Sequence, residues 1–324
     1  MTPIVYVLIL NYDGRTHLEY CLPSVLETEY PNTQVVLIDN GSEDDSLTFT
    51  RTTYPQVQII ENGQNLGYAA GNNVGIRYAL ERGADYVVLL NNDMRVDPRW
   101  LTHAVAAVED DPGIGFVGFD TIGEYRIRVD PDLTLFRQRQ SEWRELVVRD
   151  AEHVAGCALF VRSALFRAIG LFDESFFAYG EEDDLQKRGQ RAGYRTVRIN
   201  VPLWHYNGGY WDQSRLLRAS VMAQRNHIRV MIKDDPPLVA LRRLFTMIHF
   251  ICRPGIRYDH SHAHLRRLRP SSYPVNVAIL LYAAAWNVVR LPLTLAARQR
   301  EGARIRAARQ RLAALNLTDQ VEAR

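Results

Sequence analysis

The chain has little of three things that would narrow its class at once. Only three of its 324 residues are cysteines, Cys21, Cys157 and Cys252. An odd, widely spaced set gives neither a disulfide framework nor the paired spacing of a zinc site. It fits a reducing compartment. Surplus charge is also lacking: 39 basic against 37 acidic side chains leave a net charge of +2, too small for a nucleic-acid footprint. Repeats and low-complexity tracts are absent. Met1-Thr2-Pro3-Ile4 runs into a strand-like segment with no basic region and no cleavage pattern, so a secretory leader is not expected. What is present is ordinary globular material, 47% hydrophobic and 23% charged. The length suits one large domain, or one domain with an appendage. The charge is uneven, however: from Arg215 onward Arg is abundant and acid sparse until the last residues.

Apolar, β-branched runs at residues 4–10, 35–38, 57–60, 86–90 and 114–119 predict buried strands. Helix-period stretches at 14–28, 44–54, 69–82 and 98–109 separate them. Pro23 should kink the first, and Gly83 suits the C-terminal cap of the third. This alternation predicts right-handed crossovers and a mostly parallel sheet. Residues 120–150 read as a polar insertion. A strand at 153–161, helices at 163–169 and 181–192 and a strand at 194–199 follow. Beyond Trp211 the pattern is all-helical, which puts a boundary near Asp212.

Polar clusters fall at the predicted strand ends, where ligands bind in open α/β sheets. Asn91-Asn92-Asp93 ends one strand with a lone carboxylate between amides, a fit for a hard divalent cation. Asp39-Asn40-Gly41-Ser42 ends another. It reads as an Asx turn or as a base-recognition site with Asp39 accepting from an imide N–H. Asn65 through Asn73 is a small-residue loop entering a helix, either a plain helix start or a close backbone approach to a nucleotide. It is neither a GxGxxG nor a Walker A sequence. Glu181-Glu182-Asp183-Asp184 opens a helix, where acids offset the dipole. With Leu185 and Ala192 marking the buried face, 100° per residue aims Glu181 and Glu182 into the fold. Asp183 falls nearly opposite, and Asp184 stands four residues before Arg188, an ion-pair position. A carboxylate aimed inward is costly unless used or paired, so a general base is the sharp reading. His205 follows the last strand. Three other histidines, His260, His262 and His264, lie in an Arg-rich loop and read as solvated.

Taken together, Leu8-Ile9-Leu10-Asn11-Tyr12, Ile38-Asp39-Asn40-Gly41-Ser42, Asn65-Leu66-Gly67 with Asn72-Asn73, Leu90-Asn91-Asn92-Asp93, Ala155-Gly156-Cys157, Leu171-Phe172-Asp173-Glu174 and Phe176 through Tyr194 resemble an inverting family 2 glycosyltransferase of the GT-A fold. The likeness covers roughly Ile4 to Gly209. It is nearest to the rhamnosyltransferase-like branch, which includes galactofuranosyltransferases. It implies an α/β nucleotide-diphospho-sugar transferase domain over residues 1–212, with its nucleotide-sugar part in 1–119 and its acceptor part in 150–212. A helical appendage over 213–324 would follow. The resemblance assigns Asn11, Asp39, Asn40, Asn65, Gly67, Asn73, Asn92 and Asp93 to the donor. Asp93 and His205 would hold Mn2+ or Mg2+, with Asn91 standing where relatives carry a first carboxylate. Gly156, Cys157, Glu181 and Trp204 would face the acceptor. The base position carries Glu182 where relatives usually carry Asp. The role then stays with Glu182 or shifts to Asp183, and the helical spacing favours Glu182.

Apolar stretches at 237–252 and 275–297 are studded with Arg. They read as helices packed on the domain or on a second copy, or as helices in a lipid headgroup layer with Arg242, Arg243, Arg266, Arg267, Arg269 and Arg290 toward anionic lipid. Residues 304–315 predict a basic amphipathic helix. The expected protein is therefore a cytoplasmic transferase, peripheral at the inner face of the plasma membrane. Its expected partners are a nucleotide-diphosphate sugar and a glycan or lipid-linked acceptor, without nucleic acid. The competing classes are a nucleotidyltransferase, whose Gly-rich basic loop Asn11-Tyr12-Asp13-Gly14-Arg15 matches poorly, and a non-catalytic scaffold.

Overall fold

The computed structural model describes residues 2–122, 133–206, 213–251 and 273–322. Its first half alternates β1 (Val5–Asn11), α1 (Arg15–Leu26), β2 (Thr33–Asp39), α2 (Ser46–Thr53), β3 (Gln58–Glu61), α3 (Gly67–Glu81) and β4 (Tyr86–Asn91). α1 passes Pro23 as one element. The chain steps outward from β1 through β2 to β3, then returns to lay β4 on the other side of β1, all in parallel. The order therefore reverses between β1 and β4, where a doubly wound sheet opens a crevice at its carboxyl edge. Register puts Leu10 beside Asn91 and Asn11 beside Asp39. Three of the polar clusters thus share one edge.

The second half adds β5 (Met94–Arg95), α4 (Trp100–Glu109), β6 (Ile114–Ile122), α5 (Thr134–Glu142), β7 (Val148–Asp150), β8 (Ala158–Arg162), α6 (Ser163–Ile169), α7 (Glu181–Arg191) and β9 (Arg195–His205). The sheet order is β3-β2-β1-β4-β8-β6-β9-β5, with β7 on β9. β8, β5 and β7 run against the otherwise parallel strands. The insertion is partly structured, since it holds α5 and β7; residues 123–132 lie outside the described residues. Side chains alternate across the sheet. Val5, Val7 and Ile9 face α1 and α4, whereas Tyr6 and Leu8 face α3, α6 and α7. Full burial of one such aliphatic side chain contributes about 1.5–3 kcal/mol.

Helices α8 (Gln213–Asp234), α9 (Pro237–Ile251) and α10 (Tyr273–Glu322) complete the chain. They follow the boundary that the sequence predicts near residue 212. Val230 of α8 and Ile305, Ala308 and Leu312 of α10 lie in the same core as Leu8, Leu165 and Leu185. The abundance of Arg masks a buried stripe that seals the α6–α7 side. The stretches at 275–297 and 304–315 are one helix that runs through Pro292. Away from that core, Ile228, Met231, Met247, Leu280 and Ala283 join α8, α9 and the start of α10. The outer faces there leave Leu238, Phe245, Val288 and Val289 at 64–82% exposure. By length and composition alone, α10 is apolar enough to cross a membrane. Cys252, His260, His262, His264, Arg266, Arg267, Arg269 and Gly209 lie outside the described residues.

Candidate active site

A cavity of about 280 Å³ opens at the switch point, lined by Leu10, Tyr12, Asn40, Gly67, Asn91 and Phe177 among others. Amides hold its floor together. Asn92 Nδ2 donates to Asn11 Oδ1 at 2.7 Å, and Asn11 Nδ2 donates to Asp39 Oδ1 at 3.3 Å. Gly14 lies against this link: a Cβ there would come within 2.4 Å of Asn11 Oδ1. Asp39 is buried. It also accepts from the Gly41 and Ser42 N–H groups at 3.0 Å and from the Ser42 hydroxyl at 2.5 Å. Those donors fill the four lone-pair sites of a carboxylate. Asp39 therefore shapes the Asn40–Ser42 turn, and contact with a base would require one donor to swing away.

At the other wall, Asn65 Oδ1 accepts from Gly67 N–H at 2.9 Å, and Asn40 Nδ2 donates to Gly67 C=O at 3.0 Å. Gly67 has φ +80°, and a Cβ there would lie 2.4 Å from the Phe177 carbonyl oxygen. Only glycine fits this close approach. Asn73 is not at the cavity. Buried in α3, it bridges the Phe172 backbone through both ends of its amide and donates to Glu174. Its expected donor contact gives way to this structural one, because α3 turns that position inward.

Asp93 sits in the turn after β4, and His205 ends β9. The Asp93 Oδ1 and His205 Nε2 atoms are 3.2 Å apart, both side chains mostly covered. Burial pushes the imidazole down, but hydrogen bonds with Asp93 and Cys157 outweigh it and hold His205 well above its ordinary value. A carboxylate and an imidazole at this spacing fit the donor set of a manganese-type ion, which would displace the imidazole proton. Trp204, one residue earlier, points elsewhere: its ring packs with Leu133, Phe136 and Tyr20 beneath the insertion.

Partners, more than helix face, sort the acids of α7. Burial and the neighbouring Glu182 push Glu181 far above the usual carboxylate range. Burial and the Asp183 charge raise Glu182. Tyr68 from the cavity wall donates to Gly156 C=O at 2.7 Å. A Cβ on Gly156 would lie 3.4 Å from Glu182 Cβ and 3.6 Å from Tyr68 Oη, so the three meet. Asp183 is only 26% exposed, less than its helical position predicts, because α8 packs on that side of α7. Its carboxylate lies 2.9 Å from His153 Nε2 and 3.9 Å from His227 Nδ1. Burial alone would raise it, but His153 holds it well below the usual range. Asp184 makes the expected pair with Arg188, at 2.8 Å, and is wholly buried. It also contacts Lys233 of α8. Asp184, Asp234 and Glu301 bring oxygens within 4.8 Å of one another, a spacing that could hold an ion. That place is already served by cations, with Lys233 Nζ 2.9 Å from Glu301 and Arg191 2.9 Å from Asp234.

Sequence reasoning did not single out Tyr68, Phe177, His153 or Lys233. Phe177 and Tyr68 fall inside the 176–194 and 65–73 segments, to which the resemblance assigns no role at these two positions. Nothing in the Arg-rich tail marks Lys233 as buried.

A sheet that reverses between β1 and β4, with amides, the carboxylates of Asp39 and Asp93 and one histidine at its carboxyl edge, defines a GT-A glycosyltransferase. The sequence pattern of Glycosyl transferase family 2 matches residues 6–167, half of the chain, and the protein belongs to that family. The N-acetylglucosaminyl-diphospho-decaprenol L-rhamnosyltransferase of Mycobacterium tuberculosis is 29% identical over 233 residues, 61% of this chain and 74% of that protein. The low-salt glycan biosynthesis hexosyltransferase Agl10 of Haloferax volcanii is 24% identical over 60% of this chain and 64% of its own. Among solved structures, mannosyltransferase PcManGT of Pyrobaculum calidifontis, in complex with GDP-Man and Mn2+, superposes with a TM-score of 0.56 at 20% identity, covering 98% of this chain and 88% of that one. S. aureus TarS 1–349 with UDP-GlcNAc gives 0.58 at 14% identity, covering 95% and 90%. These two likenesses speak for the fold alone.

Proposed function

We propose that the protein moves a sugar from a nucleotide-diphosphate donor to a hydroxyl group by single displacement with inversion. The observation that carries this reading is the packing of Glu182 on Gly156, whose carbonyl accepts from Tyr68 of the switch-point cavity wall. This packing supports a role for Glu182, a carboxylate of raised proton affinity, close to that wall. Glu182 takes the proton of the acceptor hydroxyl as that oxygen attacks the anomeric carbon. Its raised pKa makes it a stronger base than Asp183. Asn11, Asp39 and Asn40 shape the base end of the pocket, and Asn65 and Gly67 let the backbone approach the diphosphate. Asp93 and His205 would hold a divalent ion, Mn2+ in preference to Mg2+ because one ligand is an imidazole. Such an ion, when bound, stabilises the charge developing on the leaving diphosphate.

The donor is a UDP or dTDP sugar, dTDP-rhamnose being favoured by the family likeness and the M. tuberculosis relative. The acceptor is a hydroxyl of a cell-surface glycan or of a lipid-linked saccharide. A lipid-linked acceptor would suit a protein peripheral to the cytoplasmic membrane face. The exposed apolar side chains of α9 and α10 stand beside exposed Arg242, Arg243 and Arg290, which supports docking on anionic lipid. The test is a panel of UDP-, dTDP- and GDP-sugars, scored for thermal stabilisation and hydrolysis with and without Mn2+, on wild type and Asp93→Ala. One donor should stabilise the wild type and be turned over only with metal, and the folded variant should be inactive. A folded wild type that no sugar nucleotide stabilises would sink the reading.

A further inference from the structure

Beside Glu182 stands an ion pair that the proposed displacement does not use. His153 lies in the loop before β8, three residues ahead of Gly156. Its Nε2 is 2.9 Å from Asp183 Oδ1, and its side chain remains 39% exposed. Asp183 directly follows Glu182. Two adjacent carboxylates at the start of one helix, on the acceptor side, would ordinarily contend for one role. Like charges this close raise each other's proton affinity, and one proton tends to stay on the pair. The surroundings of both groups are mixed. Glu182 faces Glu181 and Asp183 from its own helix, His153 from the loop and Tyr68 from α3. Asp183 faces His153, His227 from α8 and Lys187. His153 in turn feels Arg198 of β9. Among these groups, His153 alone makes a close contact with Asp183 and also acts on Glu182.

We propose that His153 is a positioning residue for sugar transfer: its imidazolium clamps Asp183, leaving Glu182 the one carboxylate free to act as base, and sets the pH at which it does so. The proposal rests on Glu182 being the base. The clamp is consistent with the direction of each group: burial lowers the imidazole, but the contact with Asp183 outweighs it and raises His153, while His153 lowers Glu182. If the imidazolium is removed, Glu182 holds its proton more tightly. Base catalysis then fails first at the acid end.

The experiment is the pH profile of kcat/KM for acceptor at saturating donor, with donor affinity measured separately. His153→Gln should move the acid limb to higher pH, with activity recovering above the limb and donor affinity unchanged. His153→Lys, which keeps a cation, should leave the limb near that of wild type. A merely structural role would not separate the two variants by charge. Should His153→Gln fail to fold, NMR titration of the His153 ring in the wild type still decides. It should titrate above the ordinary value of about 6.5, and titration at or below that value overturns the clamp. An unmoved limb in folded His153→Gln also overturns it. An active Glu182→Gln enzyme would instead remove the base assignment on which the clamp rests.

Discussion

Replacing Lys233 with Met tests whether the C-terminal helices are part of the catalytic fold. No part of the Lys233 side chain is exposed. Its ammonium lies 3.0 Å from Asp173 Oδ2 and 2.9 Å from Glu301 Oε1, and contacts Asp184. Met keeps the length and removes the charge. Breaking a buried pair from one side costs about 3–5 kcal/mol. Here Asp184 keeps Arg188 at 2.8 Å and Asp173 keeps Arg229 at 2.9 Å, so the loss should sit at the lower end, about 3 kcal/mol. At about 2–4 °C per kcal/mol for a domain of this order, the midpoint should fall by about 6–12 °C. The acid side gives a second check. Lys233 and Arg229 overcome the effect of burial and hold Asp173 below the carboxylate range, and Arg188 and Lys233 do the same for Asp184. Stability from such depressed groups is fully present above the unfolded value of about 3.9 and is lost as pH falls through the folded values. The difference between wild type and variant, read from urea melts, should therefore shrink below about pH 4. A midpoint unchanged at pH 7, or a folded, donor-binding chain ending at residue 212, would refute the reasoning.

Three further outcomes are expected. Glu182→Gln should lower turnover at least about a hundredfold, with donor affinity little changed; Asp183→Asn should be milder, and the reverse ranking in steady-state kinetics would exchange their roles. Gly67→Ala should raise the donor KM about tenfold or more, since its φ of +80° strains any side chain by about 1–2 kcal/mol before the clash with the Phe177 carbonyl; wild-type kinetics in the folded variant would remove Gly67 from the donor site. Phe245→Glu with Val289→Glu should abolish flotation with anionic vesicles while the fold survives. Wild-type protein that fails to float, or that buries this face in a dimer by light scattering, would replace lipid with a second copy.

The sheet was legible because each buried strand writes a continuous apolar run. Val5–Asn11 and Tyr86–Asn91 are strands where the apolar runs predict them. The polar edge was legible for the same reason: a polar cluster that closes such a run must stand at the carboxyl end. The tail was not. Lys233 and Glu301 look like solvated charges in sequence, because burial of a charge is set by partners far along the chain. Asn73 misled for a related reason. An amide at a helix start fits a ligand or a backbone bridge equally well, and only the placement of Phe172 selects the bridge.

The acids of α7 show where helix geometry stops deciding chemistry. A face argument assumes one covered side and one wet side. α7 has the sheet on one side and α8 on the other, so Asp183 meets His153 and His227 where water was expected. The angle then no longer ranks the carboxylates, and their counter-charges do. Asp184 is spent on Arg188 and Lys233, and Asp183 on His153. Glu181 is sealed among like charges. Glu182 takes a 3.2 Å hydrogen bond from Gly180 N–H, and it combines raised basicity with packing on Gly156 at the Tyr68 wall. The spacing argument and the electrostatic one name the same residue for different reasons. Only the electrostatic reason predicts that a change at His153, outside the helix, will move the pH at which the enzyme works.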